Sequence, residues 1–255
     1  MPTTRLRIAV MAIALTNLTV YSRIAIAEEP KWGDLEMRFV RVGKPPAQPI
    51  IARPAGLAPI VDESLVVDPK TGGVANVFVW CRDKAIGQKA HPSFEDSAKD
   101  EIGVHFRGAR FAPHAFGIRT SQTLLVVNHD PFGQALILQP FSSPASSLLL
   151  PANGQQGTYQ FSTPESLPTK VGCPIHPWES GWILALDHPY FGVSASDGHL
   201  KITNLPVGEW EFQFWHERKG NLSNLVQGDK QLTSAKGRLK QTIKKGKNDL
   251  GTITL

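Results

Sequence analysis

A chain of 255 residues that is 41% hydrophobic and 19% charged can bury a core, which excludes a disordered protein. Its 22 glycines and 20 prolines interrupt it too often for long helices. The net charge of +5 comes with no aromatic interleaving and no groove-reading motif, so nucleic acid is not an expected partner.

Residues 1–27 read as a secretory signal peptide. Arg5 and Arg7 make a basic start, Ile8 to Leu15 is an apolar run, and Ala25-Ile26-Ala27 is an A-x-A cleavage site. The run is too short to span a bilayer unaided, and no later stretch is a membrane span. A periplasmic or secreted mature chain is therefore expected. Removal of the leader takes away three arginines and no carboxylate, so the net charge falls from +5 to +2. The remaining excess lies between Lys236 and Lys247 and reads as a solvated strand face.

Residues 31–42 alternate apolar and polar side chains, the period of a half-buried strand. Residues 44–60 hold five prolines and form an extended connector. Val74 to Trp80 is a buried strand by its β-branched and aromatic content. Residues 81–101 are polar and loop-like, with the one plausible short helical turn. Strands are expected at 103–111 and 115–119, around Pro113-His114. Thr123 to Asn128 is the clearest central strand, His129 to Gly133 a turn, and Ala135 to Leu138 the return to the sheet. Residues 139–157 read as a long loop before a strand at 157–162. Gly181 to Leu186 is apolar throughout, as a strand buried on both faces would be.

After the Asp187 to Tyr190 turn comes a second strand-rich unit, with strands at 191–194, 197–203, 205–208, 209–216, 237–244 and 250–255. Trp210, Phe212 and Phe214 share one face of their strand, and Glu209, Glu211 and Gln213 the wet one. About a dozen short strands with frequent turns predict an all-β sandwich or barrel.

One loop carries chemistry. Cys173, His176 and Glu179 stand at Cys-x-x-His-x-x-Glu spacing, braced by Pro174 and Pro177. Thiolate with imidazole suits copper or zinc. Cys81 is the only other cysteine. In an exported chain the two allow either a Cys81–Cys173 disulfide or a reduced Cys173 that serves as a ligand.

From about residue 60 to 217 the chain resembles the cupredoxin-like proteins of methylamine-utilisation type. The resemblance rests on Cys173, Ile175, His176, Pro177, Trp178, Gly181 and Trp182 in the loop. It continues through Asp187 to Phe191, Asp197-Gly198, Asn204-Leu205-Pro206, Gly208-Glu209-Trp210 and Trp215-His216-Glu217. The part after Phe191 separately resembles a carboxypeptidase-regulatory-type β-sandwich.

The resemblance implies a cupredoxin-like Greek-key sandwich or barrel over residues 28–190 and a β-sandwich-like extension over 191–255. It also implies one copper ion held by two histidines, a cysteine and an axial methionine on a short amicyanin-like loop. Two of those positions differ here. Gln134 stands at the first histidine and Glu179 at the methionine, which leaves Cys173 and His176. His129 is a substitute ligand only if its turn presents it inward, since the odd offset from Gln134 points it the other way.

The other candidates read as structural. His114 caps a turn or assists from behind the ligands. His188 and His216 are turn or surface histidines, and His91, His105 and His199 have no partner at useful spacing. Trp178 and Trp182 shield the metal, pass electrons, or pack. Asp62, Glu63 and Asp68 form no acid–base pair. No nucleophile elbow, phosphate loop or H-E-x-x-H motif occurs, so an enzyme is not expected. Two readings stand: an exported copper protein exchanging electrons with a redox partner, or a β-sandwich binding module that has lost copper.

Overall fold

The computed structural model describes residues 32–53 and 58–255. The signal-peptide reading of 1–27 lies outside them. No helix among the described residues is long and apolar enough to cross a membrane. The fold is all-β, and among the described residues helical structure is confined to the 3-10 turns Lys84–Lys89 and Pro92–Phe94, within the expected polar loop.

Among the described residues, four sheets of four or five strands enclose three apolar cores. The first sheet is built on Trp32–Val40, flanked by His199–Pro206 and Gly246–Thr254. Its period of two is visible in burial: Leu35, Met37 and Phe39 face inward, while Asp34 and Glu36 face out and hold Lys201. The second sheet runs Phe191–Val193, Phe78–Cys81, Gly208–His216. Val79, Cys81, Phe212 and Phe214 close the first core against Leu35, Met37 and Phe39.

The third sheet has the order Ser146–Leu150, Gln134–Leu138, Thr169–Gly172, Ser180–Leu186, Ala115–Arg119. The fourth has the order Gln155–Tyr159, Thr123–Asn128, Glu101–Phe106, Phe111–Ala112. The chain passes back and forth between these two in Greek-key fashion, with Ser180–Leu186 parallel to Ala115–Arg119 and Glu101–Phe106 parallel to Thr123–Asn128. Val104, Phe106, Leu124, Val126, Leu136, Leu138, Ile183 and Ala185 fill the core between them.

The middle core joins the two halves. Phe78, Trp80 and Trp215 from the second sheet meet Ala115, Leu184 and Leu186 from the third. Ser180–Leu186 is therefore buried on both faces, as its unbroken apolar run predicts. Gly117 has no room for a side chain because the Phe191 ring occupies the place a Cβ would take.

Three expectations need correction. The division at residue 190 does not follow the sheets. Trp32–Val40 and Phe78–Cys81 pair with strands that follow Phe191, so segments before the Greek-key sandwich complete the C-terminal one. The stretch 139–157 is not a plain loop, since Ser146–Leu150 pairs with Gln134–Leu138. The polar face of Gly208–His216 is wet only at its start. Gln213 and Trp215 are buried, Trp215 in the middle core and Gln213 with its amide bonded to Lys236 O and Gly237 O. The proline-rich connector also forms a small ribbon, Ile50–Ile51 against Ile60–Val61.

Candidate metal centre

Thr169–Gly172 and Ser180–Leu186 are antiparallel neighbours, with Gly172 opposite Ser180. The seven residues 173–179 connect them. Cys173 N–H donates to Glu179 O at 2.9 Å, and Glu179 N–H donates to His176 O at 2.8 Å. These bonds fold the loop so that all three functional side chains turn inward. Gly181 lets this strand press against the Pro113-His114 turn, since a Cβ there would lie 2.7 Å from His114 O.

The fourth residue comes from the neighbouring strand. Asn128 is fully buried, and its Nδ2 donates to Phe132 O, Leu150 O and Pro151 O, which pins the 129–133 turn. Its Oδ1 accepts from Asp130 N–H. Asp130 in turn accepts from Gly108 N–H and Ala109 N–H, and from Gln134 Nε2 at 3.3 Å. Gln134 is thereby aimed at the loop, and its Oε1 meets His176 Nδ1 at 2.8 Å.

Cys173, His176 and Glu179 each offer a donor atom within 4.8 Å of the others. His176 Nδ1 lies 3.7 Å from Cys173 Sγ and 3.7 Å from Glu179 Oε1. Thiolate, imidazole and carboxylate bound to one tetrahedral ion at ordinary bond lengths have donor separations of about 3.4–3.6 Å. The two His176 separations lie close to that range. Ala135 N–H points at Cys173 Sγ from 3.4 Å, an interaction that supports charge on sulfur.

Glu179 makes the stronger case. Its side chain is completely buried and neither carboxylate oxygen has a hydrogen-bond partner. Buried carboxylates are ordinarily paired, hydrogen-bonded or bound to metal. Burial pushes the Glu179 carboxyl up to about 7. The neighbouring Asp130 charge adds to this, while Arg53 and the Gln134 and Trp178 dipoles oppose it from outside hydrogen-bonding geometry. Burial also holds His176 below the usual imidazole range, against the pull of Asp130. The residues present fit a soft or borderline metal ion.

Trp178 tilts over the His176 ring at 5.4 Å and Phe132 meets it edge-on at 5.1 Å. Trp178 thus shields the site, whereas Trp182 packs on Trp215 in the middle core and donates to Glu217. His114 pairs with Glu217 beside that core. His188 and His216 are buried histidines, each accepting a local backbone N–H, from Tyr190 and Arg218 respectively. Asp62 and Asp68 cap turns and Glu63 pairs with Arg110.

Two alternatives are overturned. The cysteines are not disulfide-bonded: Cys81 is in the first core and Cys173 in the Greek-key core. His129 is not a substitute ligand. It points to the outer face of the fourth sheet, where its Nε2 meets His105 Nδ1 at 3.0 Å. That pairing was missed from spacing. The parallel register that places His105 beside Val127 is a tertiary fact.

Fold and donor set together define an all-β protein with a buried thiol–imidazole–carboxylate cluster under a Greek-key sheet. No family model and no curated protein matches the chain. Among solved structures it is similar to a copper-containing nitrite reductase from Thermus scotoductus SA-01, at 22% identity and TM-score 0.29. That match covers 33% of this chain and 22% of that one, so the chain spans well under two thirds of the reductase. It is also similar to a Cu(I) amicyanin mutant, at 12% identity and TM-score 0.29, over 33% of this chain and 81% of that one. A purple cupredoxin from Nitrosopumilus maritimus matches at 16% identity and TM-score 0.28, over 33% of this chain and 98% of that one.

Proposed function

We propose that this chain is an exported, cupredoxin-like, non-enzymatic protein that holds one copper ion through Cys173, His176 and Glu179, with Gln134 beside them, and exchanges electrons with a redox partner protein. The observation that carries the reading is the fully buried Glu179 carboxylate, without a hydrogen-bond partner, within reach of a thiol and an imidazole. Copper is favoured over zinc by the general affinity order of divalent ions at nitrogen and sulfur donors. When bound, copper supplies one-electron exchange.

The protein residues shape that chemistry. Asn128 and Asp130 hold Gln134 against the loop, and Ala135 N–H supports charge on Cys173. Trp178 and Phe132 limit water access to His176. A carboxylate where the resemblance implies a thioether adds negative charge, which favours the higher oxidation state and lowers the potential.

The test is Cu(II) titration of the purified protein, followed by visible absorption and elemental analysis. The expected result is one copper per chain with an intense sulfur-to-copper band. No band and no stoichiometric copper would remove the electron-transfer reading.

A second reading rests on one observation. In the metal-free chain His176 Nδ1, the nitrogen facing the cluster, is already engaged by Gln134 Oε1 at 2.8 Å. If that bond outcompetes metal, the loop is a hydrogen-bonded network and the protein a binding module. The same titration, returning no bound copper, supports it.

A further inference from the structure

We propose a second metal site, outside the buried cluster, at His105 and His129 on the outer face of the fourth sheet, taking a borderline divalent cation such as Zn(II) or Cu(II). It does not depend on the reading of the buried centre. His105 lies in Glu101–Phe106, registered beside Val127 of the parallel strand Thr123–Asn128, and His129 follows that strand by one residue. Residues 127 and 129 share a face by the period of two, so both imidazoles stand on the solvent side.

Their facing nitrogens, Nδ1 of His105 and Nε2 of His129, are 3.0 Å apart, with ring centroids at 5.0 Å. Two imidazole nitrogens bound to one ion at right angles are separated by about 3 Å, given metal–nitrogen bonds of about 2.0–2.1 Å. The separation matches that of a bidentate pair, and a modest rotation of the two rings turns both nitrogens onto one ion, with the other positions left to water.

Without metal the contact is a hydrogen bond between neutral rings in complementary tautomers. Coordination removes the shared N–H proton to solvent and replaces it with the cation. Arg107, one residue past the end of the His105 strand, is the positive group that opposes it, and solvent screens that repulsion.

The buried centre offers a thiol and is enclosed, whereas this site offers only nitrogen and is open. The two differ in ligand chemistry and can be separated by mutation. The experiment is calorimetric titration of Zn(II) into the full chain carrying Cys173→Ser, then into the same chain with His105→Gln or His129→Gln. Imidazole resonances are followed by NMR in parallel.

The expected result is a site that survives Cys173→Ser and loses on the order of a hundredfold in affinity when either imidazole is removed, as the chelate becomes monodentate. The His105 and His129 resonances shift together on addition of Zn(II). Unchanged affinity in either glutamine variant, or unmoved resonances, would overturn the site whatever happens at Cys173. Both positions are at the surface, and circular dichroism of each variant confirms that the fold is retained.

Discussion

Replacing Glu179 by glutamine separates what the carboxylate does for metal from what it costs the fold. In the metal-free chain the ionised group is buried with no hydrogen-bond partner, and its pKa rises from 4.5 to about 7. A folded-state value above the unfolded one means that stability is full below pH 4.5 and declines as pH rises through about 7. A shift of that size corresponds to about 3 kcal/mol. Local relaxation around the buried charge offsets part of this, and about 2 kcal/mol is the expected loss.

The glutamine amide is also left unpartnered, at a cost that does not vary with pH, so the informative quantity is slope. Urea unfolding of both metal-free chains between pH 4.5 and 8.5 should show the wild type losing about 2 kcal/mol relative to Glu179→Gln. The same variant should bind copper more weakly, because a neutral amide replaces an anionic oxygen. Parallel stability curves for the two chains would refute the reasoning, since they would show that the carboxylate is not desolvated where the structure places it.

Gln134→His combined with Glu179→Met should create or sharpen an intense visible copper band, and an unchanged spectrum would show that position 134 is not a ligand position. Glu217→Ala should destabilise by about 3 kcal/mol, because it strands His114 and the Trp182 indole N–H inside the protein. Burial lowers the His114 pKa, but bonding to Glu217 outweighs it and holds the ring above its usual range. The pair's contribution is thus full below about pH 6.5 and fades as pH rises through the raised value, a dependence that Glu217→Ala should abolish in denaturation curves. Leu184→Ala, in the middle core, should cost about 2–5 kcal/mol and weaken the cooperativity between the two halves, seen as divergence of tryptophan fluorescence and circular dichroism transitions. Thiol counting on the unfolded, unreduced chain should find two free thiols; Cys81, whose pKa burial pushes up to about 12, should resist alkylation until the first core opens.

Strand type and burial were legible wherever a single period governed a segment. Trp32–Val40 alternates because one face is wet, and Ser180–Leu186 does not because both faces are dry. Legibility failed where burial came from a partner remote in sequence. Gln213 looks like a solvent-facing residue from its neighbours, yet it is buried, with its amide donating to Lys236 O and Gly237 O from a segment more than twenty residues further on. Ser146–Leu150 was hidden by the serines and prolines around it, although its pairing with Gln134–Leu138 is a local hairpin across residues 139–145. His105 and His129, 24 residues apart, meet only through a parallel register that local pattern does not encode.

At the buried cluster the division is similar. Cys173, His176 and Glu179 are close in the chain, so their convergence follows from a short loop with two prolines, and the sequence alone identified them. It also determined the all-β class, through the density of turn residues and the short apolar runs. Tertiary structure decided that Gln134 joins the cluster, because only the Asn128 and Asp130 bonds set the direction of that strand's first side chain. It decided that Glu179 is an unpartnered carboxylate, since solvent and donors are excluded by sheets far away in sequence. It decided as well that the N-terminal strand completes the C-terminal sandwich, because sheet edges are closed by whichever backbone lies beside them in space.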